Sequence, residues 1–266
     1  MTEPGADPHT RELLTFAERL ADEARKLLTA AADVGADAVR PDIKADNSYV
    51  TATDRAIEYR LRELVADAYP GHGVLGEEFG AHGLDADHVW VLDPLDGTAA
   101  FVAGVPVYGT LIGLARHGSP WLGVMDYPAT AERWTGVHGA FARRNGAPVR
   151  TRPSTDLGSA LATCSNPDFF AASDADRLAR VRERVQYTLY GASSYAFGLL
   201  AAGRTDLAVD CGLKPYDVFA PAAVISGAGG HVSDWAGAPP SLTPTSTTYL
   251  STSTPALHRE VLPLLR

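Results

Sequence analysis

Two carboxylates three positions apart, Asp93 and Asp96, lie in the run Asp93-Pro94-Leu95-Asp96-Gly97-Thr98, directly after the apolar, strand-like segment Val89-Trp90-Val91-Leu92. Pro94 and Gly97 predict a bend between the acids, so that both side chains converge on a cation while the Leu95 carbonyl points the same way. These ligands are all hard oxygens, which suit Mg2+ or Mn2+ better than zinc. Gly97 permits close backbone approach, and Thr98-Ala99-Ala100-Phe101 is expected to open a short helix whose free N–H groups receive a phosphate oxygen. The simpler reading of the same string is an Asp-rich turn capping that helix, so further acids are needed.

Such acids are present. Leu75-Gly76-Glu77-Glu78-Phe79-Gly80 sets two carboxylates at the end of a short strand. Neighbouring side chains in extended structure point opposite ways, so one is expected to enter a site while the other meets a second partner. Asp217, in Lys214-Pro215-Tyr216-Asp217-Val218-Phe219-Ala220, falls in the first turn of a predicted helix, where capping alone would explain it. Asp54 is likewise expected at a helix N-terminus, with Glu58 one turn later on the same face. The eight histidines show no H-x-x-x-H pair, which disfavours zinc hydrolase chemistry. The chain has neither a G-x-S-x-G elbow nor a phosphate-binding G-x-x-x-x-G-K-[ST] loop. Gly227-Ala228-Gly229-Gly230 follows a predicted helix and reads as its stop.

The 266 residues suffice for one large domain or two joined halves, and the net charge of -9 disfavours a general nucleic-acid binder. An acidic protein that handles an anion needs local cations, which bound metals supply. Cys164 and Cys211 are expected to be buried free thiols. Residues 1–7 have neither a basic start nor an apolar core, and no apolar run approaches the ~20 residues of a membrane span, so the expectation is a soluble cytoplasmic protein.

The elements that must position these acids follow from periodicity. Leu13, Leu14, Phe16, Ala17, Leu20, Ala21, Ala24, Leu27 and Leu28 predict an amphipathic helix over residues 10–32, followed by a loop with turn residues Asp46, Asn47 and Ser48. A second helix over 54–68 buries Ile57, Leu61, Leu64 and Val65 and stops at Tyr69-Pro70-Gly71. Short apolar runs at 74–75, 89–92, 107–115 and 121–125, with turns at His117-Gly118 and Arg144-Asn145-Gly146, predict an antiparallel sheet. Beyond residue 155, strands at 161–164, 186–190 and 207–209 alternate with helices at 175–184, 194–202 and 215–228. The expected organisation is an N-terminal α+β half over 1–150 that carries the metal motifs, and a C-terminal α/β half over 151–266 that completes the site.

Taken together, Lys44-Ala45-Asp46, Val50-Thr51-Ala52-Thr53-Asp54, Gly76-Glu77-Glu78, the 93–98 run and Tyr216-Asp217 leading to Gly227-Ala228-Gly229-Gly230 resemble the inositol monophosphatase family. These are Mg2+-dependent, Li+-sensitive phosphatases of the fructose-1,6-bisphosphatase superfamily, and the likeness spans about residues 44–237. The resemblance implies an α+β fold, a layered α-β-α-β-α sandwich, usually homodimeric. It implies two or three Mg2+ ions, with Mn2+ as the alternative. Glu77, Asp93 and the Leu95 carbonyl resemble ligands of the first ion, and Asp93, Asp96 and Asp217 those of the second. Glu77 with Thr98 resembles the pair that orients and deprotonates the attacking water, assisted by Asp54, while Gly97 and Thr98 N–H groups would hold phosphate.

Finer features resemble the histidinol-phosphate phosphatases built on this fold. They are Phe101 with Gly104-Val105-Pro106, Gly109-Thr110-Leu111-Ile112, Glu132-Arg133-Trp134, Gly198-Leu199-Leu200-Ala201-Ala202-Gly203, Gly212-Leu213-Lys214-Pro215-Tyr216-Asp217 and Asp234-Trp235. Ala100, where inositol phosphatases usually carry Asn, agrees. One departure concerns the substrate. That subgroup commonly has Tyr-Gly-Gly-Asp-Cys-Tyr where this chain has Tyr190-Gly191-Ala192-Ser193-Ser194-Tyr195, so Ser193 replaces an acid, and Asp210 stands where the family usually has a substrate-binding Glu. Ser193, Asp210 and Asp217 are thus the expected substrate contacts. The leading expectation is a Mg2+-dependent hydrolase of a small phosphate monoester, L-histidinol phosphate first, with an inositol, sugar or specialised-metabolite phosphate as the alternative. A non-catalytic homologue that binds a phosphorylated ligand is the alternative of a different class.

Overall fold

The 3.6-residue stripe of the first segment folds as α1 (Pro8–Asp33), which buries every expected apolar position except Leu27. A computed structural model of the chain describes residues 7–33, 41–44, 49–154 and 156–266. The short antiparallel pair β1 (Asp42–Ile43) and β2 (Tyr49–Val50) comes next, and the turn expected at Asp46, Asn47 and Ser48 lies outside the described residues. α2 (Ala52–Ala68) starts at a capping box in which Thr51 N–H donates to Asp54 Oδ2 at 2.8 Å, and it ends where Tyr69 N–H returns to Val65 O.

The first sheet is built from β3 (Gly73–Gly76), β4 (Gly80–His82), β5 (His88–Asp96), β6 (Gly109–Arg116), β7 (Ser119–Tyr127), β8 (Glu132–Val137), β9 (Phe141–Arg144) and β10 (Ala147–Val149). The six-residue helix α3 (Thr98–Ala103) connects β5 to β6. The order is β10-β9-β8-β7-β6-β5-β3-β4. The expected antiparallel pairing runs from β5 to β10, with His117-Gly118 and Asn145-Gly146 turning at positive φ. The exception corrects the sequence expectation: β3 pairs parallel with β5, because β4 folds back on β3 and the chain returns on the other side. β8 escapes detection from an apolar run because it starts with two charges. Glu132 is nonetheless buried, paired with Arg144.

The second sheet, order β12-β11-β13-β15-β14, contains β11 (Leu161–Cys164), β12 (Tyr187–Tyr190), β13 (Leu207–Asp210), β14 (His231–Ser233) and β15 (Tyr249–Thr252). Its helices are α4 (Ala172–Arg182), α5 (Tyr195–Ala201), α6 (Pro215–Gly227) and α7 (Pro255–Leu265). β11, β12 and β13 run parallel, as a β-α alternation requires, whereas β14 and β15 add antiparallel. These last two strands and α7 give no clear sequence signal: Ser251, Thr252 and Ser253 are buried though polar, and α7 contains Pro263.

Alternation along the strands generates the layers. Trp90 and Leu92 of β5 pack with α1 and α2, while Leu111, Met125 and Trp134 face α5 and α6. Across α5 and α6 lies Ala208 of β13, and its neighbours Leu207 and Val209 point the other way, to α4 and α7. The result is the expected α-β-α-β-α sandwich, with both cysteines buried and free. The central helix α6 lies close against the first sheet because Gly113, Gly123 and Gly136 present no side chain. A Cβ at Gly123 would come within 2.4 Å of Ala220 O, and one at Gly136 within 2.6 Å of Val224 Cα. Gly123→Ala is therefore expected to lower stability by about 1–3 kcal/mol through overpacking. Gly71→Ala, which meets nothing within 4 Å, serves as the neutral control. Urea unfolding of both variants checks this.

Candidate metal centre

The centre forms where three elements end together. Residues i and i+3 of a regular strand face opposite sides, so Asp93 and Asp96 could not share a site in unbroken β structure. β5 avoids this with a bulge: Asp93 pairs with Leu111 but Asp96 with Gly109, one residue short, and Thr110 Oγ1 secures the extra residue by donating to Pro94 O at 2.8 Å. The parallel register of β3 sets Gly76 opposite Leu92, and Glu77 N–H donates to Leu92 O at 3.2 Å, so Glu77 emerges beside Asp93. Asp217 enters from the first turn of α6. Oxygens of Asp93, Asp96 and Asp217 all lie within 4.8 Å of one another.

Each acid has one oxygen fastened by the protein. Leu95 N–H donates to Asp93 Oδ1 at 3.1 Å, and Lys214 N–H to Asp217 Oδ2 at 2.6 Å. Ser194 N–H donates to Asp96 Oδ2 at 3.0 Å. Asp54 gives Oδ2 to the cap of α2 and turns Oδ1 to Thr98 Oγ1, 3.2 Å away. Capping and site-building are thus one arrangement for Asp54 and Asp217, not competing explanations.

Electrostatics make the cluster unstable as a set of bare anions. Burial, reinforced by Glu77, Asp96 and Asp217, pushes Asp93 well above the usual carboxylate range. Burial does the same to Asp217, with Asp96 and Glu77 adding to it, and raises Asp54. It lifts Asp96 to about 6 against the Ser194 hydrogen bonds, and Glu77 to about 7 against Lys44. Lys44 loses basicity to burial but regains more from Glu77 and Glu78, so it stays charged. One lysine cannot neutralise this many acids. Without further positive charge they must hold protons, and a set of converging hard oxygens is what a divalent cation takes in their place. The residues present fit such an ion: Glu77, Asp93, Asp96, Asp217 and the Leu95 carbonyl could hold it.

The structure brings together most of the residues expected from sequence, with adjustments. Glu77 and Glu78 do not diverge: the strand ends at Gly76, and in the following turn both carboxylates accept from Lys44 Nζ at 2.6 Å. Thr98 Oγ1 faces Asp54 and the Leu95 carbonyl, the latter at 3.0 Å, and no hydrogen bond joins it to Glu77. Gly97, at φ 75°, caps α3, and a Cβ there would lie 3.0 Å from Ser193 Oγ, so Ser193 does sit over the metal turn. Asp210 is buried at the end of β13, where Ser165 N–H and Oγ hold its Oδ1 at 2.8 and 2.5 Å. Three participants went unassigned in the sequence. Glu58 is fully buried and receives the Glu78 and Phe79 N–H groups, which fixes the turn after Glu77. Ser165 ties Asp210, and Ser194 holds Asp96. A cavity of about 610 Å3 lined by Trp121, Ser226 and His231 lies toward the other end of α6 and contains none of these acids.

Comparison with known proteins identifies the family and the fold. The inositol monophosphatase family model matches residues 9–266. A bifunctional phosphatase of Arabidopsis thaliana, IMPL2, is 42% identical over 196 residues, 73% of this chain, and the chain spans 57% of that protein's length. The histidinol-phosphatase of Mycobacterium tuberculosis is 35% identical, over 83% of this chain and 86% of that protein. Among solved structures, an inositol monophosphatase from Zymomonas mobilis superposes with a TM-score of 0.87 at 33% identity, covering 98% of this chain and 99% of that one. With the family match running over nearly the whole length and the fold shared, the chain belongs to the inositol monophosphatase family of phosphatases.

Proposed function

We propose that this chain is a Mg2+-dependent phosphomonoesterase acting on a small-molecule phosphate. The observation that carries the proposal is the convergence of Asp93, Asp96 and Asp217 within 4.8 Å, beside Glu77 and against the Gly97-Thr98 turn. Glu77, Asp93 and the Leu95 carbonyl would hold one ion, Asp93, Asp96 and Asp217 a second, and a third bound more weakly near Asp54 is part of the reading. Mg2+, when bound, would supply charge to neutralise the phosphate, acidify the attacking water and stabilise the leaving alkoxide. The protein's own groups do the rest. The Thr98 hydroxyl, poised between Asp54 and the Leu95 carbonyl, orients the water, and Glu77 takes its proton. Gly97 and Thr98 N–H groups hold phosphate oxygens. Ser193, Asp210 and Asp217 face the leaving alcohol.

The proposed substrate is L-histidinol phosphate, which would place the enzyme in histidine biosynthesis. Kinship to the mycobacterial histidinol-phosphatase supports this choice. A specific observation favours a second reading, a phosphorylated polyol such as inositol 1-phosphate: Ser193 is neutral and the Asp210 carboxylate is already engaged by Ser165, which leaves less negative charge for an ammonium group. A cytoplasmic homodimer inhibited by Li+ belongs to the same proposal and rests on kinship alone.

Asp93→Asn is expected to lower kcat/KM by at least about a hundredfold while the metal-free protein keeps or raises its Tm, since the neutral amide needs no proton taken up from solution. Turnover near wild type would sink the assignment. Comparison of kcat/KM on histidinol phosphate, inositol 1-phosphate and several sugar phosphates decides the substrate. Release no higher than a no-enzyme control on all of them would instead favour a non-catalytic ligand binder. A linkage test needs no substrate. Asp96 and Glu77 rise from 3.8 and 4.5 to about 6 and about 7 on folding, so the folded chain retains protons that the unfolded chain releases. Metal-free stability from these groups therefore falls as pH rises from about 4 to about 7. The Tm gain from excess MgCl2 over EDTA is expected to be small at pH 5 and large at pH 7.5.

A further inference from the structure

Asp93 and Asp217 are fastened by backbone N–H groups from their own turns, but Asp96 is not. Its support comes from Ser194, 98 positions away, which donates both its N–H and its hydroxyl to Oδ2. Ser194 is buried, and its Oγ also lies 2.6 Å from Tyr127 OH. A serine hydroxyl has one proton, and the carboxylate takes it, so the phenol must be the donor in that second contact. The protons therefore run in one direction, from Tyr127 to Ser194 to Asp96.

The end of this chain is tightly enclosed. Tyr127 meets Trp134 and Tyr195 edge to face, with centroids 5.5 and 5.1 Å away, and those two rings meet each other at 5.4 Å. Gly109 makes room for the phenol: a Cβ there would stand 2.6 Å from a ring carbon. Gly198 does the same beneath Trp134 at 2.8 Å. Tyr195 OH donates to Glu132 Oε2 at 2.5 Å. Gly109, Glu132, Trp134 and Gly198 belong to motifs for which the carboxylate cluster alone has no use, and together they immobilise Tyr127 and Tyr195.

We propose that Ser194 and Tyr127 are positioning residues for metal binding: they commit Oδ2 of Asp96 to the protein and present Oδ1 to the second ion as a single oriented ligand. The inference rests on the metal-dependent reading above, and its test separates the two. Calorimetric titration with Mn2+ is expected to show affinity weakened roughly 10- to 100-fold in Ser194→Ala and about threefold in Tyr127→Phe, which loses one neutral donor. Ser194→Cys, keeping a weak donor, falls between wild type and Ser194→Ala. The MgCl2 needed for half-maximal phosphate release shifts in the same order, and excess MgCl2 recovers most of the lost turnover. A purely structural role would lower Tm without that graded shift. Mn2+ affinities equal to wild type in both Ser194→Ala and Tyr127→Phe overturn the inference. A wild type that binds Mn2+ but releases no phosphate counts against the phosphatase reading, while the affinity series still decides this one.

Discussion

Burial of converging carboxylates, to which their mutual repulsion adds, is the constraint around which this fold is organised. Asp54, Asp93, Asp96, Asp217 and Glu77 press on one another from four elements, and burial raises the pKa of each. An isolated fold would relieve the strain by turning these side chains toward water or by pairing them with bases. Here one oxygen of each aspartate is tied back by a donor from the protein, so the side chains cannot rotate away from one another. Packing elsewhere must offset the cost, and the two apolar faces of the first sheet, one against α1 and α2 and the other against α6, supply the burial to do so.

The same demand explains several local irregularities. The bulge in β5 exists where two acids need to face one way. β3 runs parallel to β5 so that Glu77 leaves the sheet beside Asp93. Glycines beneath α6 let its backbone approach the strands closely, which brings Asp217 down to the level of the strand ends. None of these features is needed for a stable sandwich as such, and all of them converge on one small volume.

Much of this was legible in the sequence, unevenly. The long amphipathic stripe of α1 and the D-P-x-D-G-T run speak through strong local signals, and the acids and their order are enough to indicate the chemistry. Pairing direction is different: nothing within Gly73–Gly76 says that it lies parallel to β5, because that depends on where β4 leads the chain. β8 and β15 hide because Glu132 and Thr252 satisfy their polarity inside the protein, which no apolar pattern can reveal. Ser194 was invisible for a related reason. A serine beside another serine carries no chemistry until the fold sets one of them against Asp96.

The centre draws on the first sheet and on the later helices α5 and α6, and this has a consequence for how the chain matures. Asp54, Glu77, Asp93 and Asp96 leave the ribosome 121 to 163 positions before Asp217, and Ser194 also arrives late. A nascent chain with only the first sheet complete therefore carries crowded acids without the groups that close the ring, and on the proposed reading it would bind a divalent ion only poorly. Ion capture would tighten when α5 and α6 dock, so occupancy of the centre would report that the central helical layer is in place. The catalytic ion would then double as the mark of a finished molecule.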